Sequence, residues 1–175
     1  MAIDTTKDPI HQVYEGIRDC LTNDAGFASL VDTDDDLIDY TSTKRTADKP
    51  GLQTADLPQV RIVLTGLNRA QIFRTSNSCS LETQWAIELK VGDKRLGQAS
   101  PIIWAIYRAM SRWPTYLRDA VTWESQNPVK RLMPMKAEVR YAPTKKPPEP
   151  AGWVAVFAAQ IDLFVSTTDL QAEGT

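Results

Sequence analysis

From Cys79 to Val91 the chain alternates for longer than anywhere else: Cys79, Leu81, Thr83, Trp85, Ile87, Leu89 and Val91 fall in one set, and Ser80, Glu82, Gln84, Ala86, Glu88 and Lys90 in the other. Successive side chains of an extended backbone point to opposite sides, so this two-residue period predicts a long strand with one side against a core and the other facing water. A strand of this kind needs partners, and three other segments supply them. Pro58 to Thr65 places Val60, Ile62 and Leu64 opposite Arg61, Val63 and Thr65. Met133, Met135, Ala137, Val139 and Tyr141 alternate with Pro134, Lys136, Glu138 and Arg140, with Pro134 marking an edge or bulge. Trp153 to Val165 carries Trp153, Ala155, Phe157, Ala159, Ile161 and Leu163 on one side. Its second side holds Gln160 and Asp162, but its other four residues, Val154, Val156, Ala158 and Phe164, are apolar as well. A strand that faces water is polar on its wet side, so these four residues predict a surface that something covers.

Two stretches have the helical period instead. Asp8 and Pro9 form a cap and first-turn proline, after which Ile10, Val13, Tyr14, Ile17 and Leu21 recur with Cys20 beside them, ending before Asn23 to Gly26. Ser100 and Pro101 repeat that start before Ile102, Ile103, Ile106, Met110 and Trp113. Trp104 and Tyr107 widen this second stripe, and Pro114 stops it, so the helix is expected to lie across the sheet. Between the periodic segments, 32–57 reads as a polar loop, 143–150 as a stiff proline-rich loop and 166–175 as a frayed tail. Leu67 to Asn77 fits either extensions of the flanking strands or a hairpin tip. No linker divides the chain. The expectation is a single α+β domain, a mainly antiparallel sheet of about four strands against two helices, in the order α-β-β-α-β-β.

The residues that carry chemistry are sparse. A formal charge of −2 gives no large positive field for nucleic acid. The longest strongly apolar run, Trp153 to Ala159, is too short to span a bilayer, and no signal-like segment opens the chain, so a soluble, unexported protein is expected. His11 is the only histidine and lies in a helical first turn, which leaves zinc clusters and a Ser-His-Asp set without ligands or base. Cys20 and Cys79 fall on a helix and a strand, where free thiols behave as small core hydrophobes. Asp32, Asp34, Asp35 and Asp36 lack the glycine and later glutamate of a calcium loop, and read as a hydrated acidic loop. The glycines form no phosphate-cradling pattern. Glu82, Glu88 and Asp162 could pair as acid and base, but no nucleophile or oxyanion donor set accompanies them. The tryptophans sit on strand and helix stripes, where packing explains them better than base stacking. No catalytic residue, metal site or cofactor is therefore expected. Interfaces favour an aromatic among arginines, so Arg69, Phe73 and Arg74 are candidate contact residues, with the Lys145-Lys146 pair of the proline-rich loop beside them.

This succession resembles the tail-terminator, or tail-completion, proteins of tailed bacteriophages. It covers the helix from Pro9, the polar loop, the paired strands around Val60 and Trp85, the helix from Pro101 to Trp113 and the final strand pair ending near Val165. The resemblance implies a virion structural protein of the neck, assembled in the host cytoplasm. Its members form a ring, typically hexameric, that caps the tail tube and offers its other face to the head connector, with DNA passing only through the lumen. A tail sheath is a possible further partner, and no membrane is involved. On this reading Val154, Val156, Ala158, Phe164, Arg69, Phe73, Arg74, Lys145 and Lys146 are the candidate subunit or partner contacts. Another neck or baseplate component, a monomeric binding module and a small α+β enzyme are the alternatives, since fold does not fix function.

Overall fold

In a computed structural model of the chain, the described residues are 9–31, 37–39, 58–72, 78–92, 95–113, 117, 129–132, 136–143 and 151–166. The fold is α+β, a mainly antiparallel sheet with its helices on one side. Helix α1 is Pro9–Thr22, followed by the short α2, Ala25–Ala28. Strands β1 (Leu37–Asp39), β2 (Gln59–Ile72) and β3 (Ser78–Val91) precede helix α3 (Leu96–Met110). Strands β4 (Val129–Leu132), β5 (Lys136–Ala142) and β6 (Gly152–Ser166) follow it. The sheet runs β1-β2-β3-β6-β4, with β5 pairing the same edge of β6 as β4.

The alternation in the sequence sets the layers. Leu89, Ile87 and Trp85 of β3 lie opposite Val60, Ile62 and Leu64 of β2 and opposite Ala155, Phe157 and Ala159 of β6. Most of these side chains join Val13, Ile17 and Leu21 of α1 and Ile102, Ile106 and Met110 of α3 in one core. Helix α1 lies over β2 and α3 over β3 and β6. Each fully buried Leu, Ile or Phe contributes roughly 1.5–3 kcal/mol relative to exposure. Thr83, polar yet buried, satisfies itself: its hydroxyl donates to the Ile161 carbonyl at 2.7 Å and accepts from the Trp85 indole N–H at 2.8 Å. At Gly152 a Cβ would run into the backbone carbonyl of Val91, so only glycine lets β6 enter this close beside β3.

Four expectations need correction. The second helix starts at Leu96, not at Ser100-Pro101, and holds Pro101 inside it. The bond that proline cannot make falls on the Gly97 carbonyl in an exposed first turn, where water can replace it, while Ala99 gives that turn a buried contact. Trp104 and Tyr107 do not face the sheet; they are 61% and 49% exposed and stack on one another with centroids 5.8 Å apart. The stretch 32–57 is not loop throughout: Leu37 and Ile38, an apolar pair in polar surroundings, form with Asp39 a short strand parallel to β2. The connector before the third expected strand holds a strand of its own, β4, while that expected strand is described from Lys136, with 133–135 outside the described residues. Within the 67–77 segment, residues 67–72 extend β2, which runs to Ile72, and β3 begins at Ser78; 73–77 lie outside the described residues.

Candidate interaction surface

The residues on the side of the sheet away from the helices are fixed by register. On β6 they are Val154, Val156, Ala158, Gln160, Asp162 and Phe164. Val154 lies between Lys90 of β3 and Arg140 of β5; Val156 between Glu88 and Glu138; Ala158 between Ala86 and Lys136. Val154, Val156 and Ala158 thus form an apolar run on β6 whose flanking residues, Ala86 apart, change sign from one row to the next, and Gln160 and Asp162 separate this run from Phe164. Among the described residues no helix covers this face. Val154, Val156 and Phe164 are nevertheless only partly exposed, and Ala158 is exposed. The aliphatic stems of the flanking Lys, Glu and Arg side chains are long enough to lie along the valines while their charged ends stay in water. The arrangement suits a surface that is tolerable in the free chain and improved by a partner.

The paired carboxylates weighed from the sequence meet here. Glu82 and Asp162 are directly opposite, and Asp162 accepts a bond from the Gln160 amide at 2.9 Å. His11 belongs to α1, on the other side of the sheet, where it lies 3.7 Å from Glu15. Among the described residues no group of His, Cys, Asp and Glu side chains is placed to hold a metal ion. The acidic cluster at Asp32 to Asp36, Trp123, Phe73, Arg74, Lys145 and Lys146 lies outside the described residues. Arg69 is placed on β2 opposite Leu81, in the part of the hairpin beyond the register irregularity at Gly66. The candidate residues therefore divide: Val154, Val156, Ala158 and Phe164 share one face, and Arg69 stands at the far end of the β2–β3 hairpin.

A polar cluster that no local sequence pattern announces ties the helices together. Asp24, 2% exposed, caps α2 by accepting from the Gly26 and Phe27 amides at 3.0 and 3.1 Å. The same carboxylate takes the Nε of Arg108 at 3.0 Å and its Nη2 in a forked pair, with Arg112 3.7 Å away. The Arg108 bonds hold the Asp24 carboxyl below the usual carboxylate range, against the opposing effect of burial. A side chain at Gly26 would occupy the place of the Arg108 guanidinium. Nearby, the Cys20 thiol donates to the Ala109 carbonyl at 3.1 Å, and burial pushes its pKa up to about 11. A thiol so held is a packing group, as expected of Cys20, and not a nucleophile. An aspartate just ahead of a helix is a cap signal; a distant arginine partner leaves no local trace.

No family model matches the chain, and no curated protein matches it.

Proposed function

We propose that the chain is a structural protein of the neck of a tailed phage, acting as a tail terminator. It assembles into a ring, hexameric in the family it resembles, which caps the tail tube on one side and receives the head connector on the other. DNA passes only through the lumen, and a sheath, where there is one, meets the outside. The protein works by contact and not by catalysis, is assembled in the host cytoplasm and ends in the virion. The carrying observation is the face of β6: Val154, Val156 and Ala158 form an apolar run, with Phe164 beyond Gln160 and Asp162, that the described helices leave open. Apolar runs of this kind mark contact surfaces. A head-to-tail ring uses two different patches of each subunit, so this face can meet a neighbour while the hairpin and loops meet the tube or connector.

Register also fixes the best test. An aspartate at Val156 would stand between Glu88 and Glu138 and disturb folding by repulsion; a lysine there meets two opposite charges. Val156→Lys should therefore fold, yet bury a charge on assembly and oppose association. Electron micrographs of the purified chain should show rings that the variant lacks, and the variant should fail to complement phage deficient in the terminator. Full complementation by Val156→Lys removes the β6 face from the interface. Wild-type protein that never forms rings, with or without tail tubes, removes the terminator reading.

A further inference from the structure

We infer that the outer edge of β5 is a self-complementary surface that pairs with β5 of a second copy of this chain. One side of β5 is bonded to β6, and among the described residues no strand pairs with the other. Residues 136–141 are all exposed, including Val139 at 43% and Tyr141 at 39%, although both point to the helix side of the sheet. Such an edge is a template for another strand unless something blunts it, and charged side chains are the usual means.

Here the order of the charges does more than blunt. Two copies related by a two-fold axis through Val139 pair antiparallel. Glu138 of each then faces Arg140 of the partner subunit, Val139 faces Val139 of the partner subunit, and Ala137 faces Tyr141 of the partner subunit. Both Glu–Arg pairs lie on the open side of the sheet, and the apolar contacts lie on the helix side, where they cover the exposed Val139 and Tyr141. Moving the axis to residue 138 places Glu138 against Glu138 of the partner subunit and Lys136 against Arg140 of the partner subunit. Moving it to residue 140 places Arg140 against Arg140 of the partner subunit. Like charges directly opposite are unfavourable, so the signs exclude the registers at 138 and 140. An axis at Ala137 would also set Lys136 against Glu138, but it engages only residues 136–138 of β5 and leaves Tyr141 uncovered, so the register at Val139 is the one that uses the whole strand. Within the chain Glu138 and Arg140 lie opposite Val156 and Val154, so β6 offers neither an ion-pair partner.

A pairing over one short strand is at the small end of specific interfaces, and the expected product is a weak dimer that depends on concentration and is loosened by salt. A two-fold pair does not close a six-membered ring, so this dimer stands apart from the ring reading and leaves the β6 face open. Sedimentation of the full chain from about 1 µM to about 1 mM should show association in twos that grows with concentration, monomer to dimer or, where rings are present, ring to joined rings. Glu138→Arg and Arg140→Glu should each weaken it by about tenfold, and the double exchange, which recreates both opposite-sign pairs, should restore it. Val139→Cys should give a covalent dimer on mild oxidation that wild-type protein does not give, since directly opposite residues bring their Cα atoms within disulfide reach. Circular dichroism should show all variants folded. A monomer throughout this range, an oligomer indifferent to both single exchanges, or a double exchange that fails to restore association overturns the inference and leaves the charges as edge protection alone.

Discussion

Both sides of β6 carry apolar residues, one at every position from Trp153 to Val165 and the other at four of its six, yet their fates are opposite. Ala155, Phe157, Ala159, Ile161 and Leu163 are buried beneath the helices, whereas Val154, Val156, Ala158 and Phe164 lie on a face with no helix over it among the described residues. What separates them is their neighbours. The buried set is flanked by Leu89, Ile87 and Trp85; the open set by Lys90, Glu88, Arg140 and Glu138. Hydrophobicity along one strand measures how much it can bury, and the strands beside it decide which side the chain itself covers.

That contrast breaks most visibly in the core. Phe157→Ala should cost about 3–5 kcal/mol and Ile106→Ala about 2–5, because both leave cavities the sheet and helix cannot close. Thermal or urea unfolding measures this, and unchanged midpoints would place neither residue in the core. Gly152→Ala should cost about 1–3 kcal/mol by forcing β6 away from the Val91 backbone, a loss that a more apolar side chain cannot recover.

Asp24→Ala should cost about 1–2 kcal/mol through the lost cap and its arginine pair. The pH dependence sharpens this. Because the folded value of Asp24 is lowered, its contribution is fully present above the ordinary value of 3.8 and is lost as the pH falls through its own lower value. The stability gap between wild type and Asp24→Ala should therefore be constant near neutrality and close in acid. A gap that persists in strong acid would assign the loss to packing. Smallest of all, Val156→Lys should move stability by no more than about 0.5 kcal/mol, one residue from the costly Phe157. A large loss there would mean that the open side is covered after all.

The sheet was legible because a period of two survives any tertiary detail, and it puts Val60, Trp85 and Phe157 on the core side of their strands. Helix α3 was harder. Its apolar residues extend so far around the circumference that periodicity does not say which side turns inward. Packing decides it with small residues: Ala99, Ala105 and Ala109 are buried, Cys20 reaches the Ala109 carbonyl, and the bulky Trp104 and Tyr107 are turned outward. The Asp24 to Arg108 pair joins residues 84 positions apart and has no local signature beyond the cap. Of the contact residues, those on β6 could be placed by alternation, while the order of charges on β5 gained meaning only once β5 was known to be an edge.

The central position of β6 also bears on how the chain comes to fold. β6 pairs with β3 along its whole length, yet it follows β3, α3 and β5 in the sequence. Contacts this distant form slowly, because a long stretch of chain must be closed before they are rewarded. During synthesis the β2–β3 hairpin emerges well before its partner, with Trp85, Ile87 and Leu89 awaiting half of their packing and the edge of β3 unpaired. Exposed apolar strands are prone to associate with one another in that interval. A chain halted before Gly152 would keep all three helices and the hairpin but lack the strand that joins the sheet at its middle, and should be recovered as aggregate or bound to chaperones, not as a smaller folded protein.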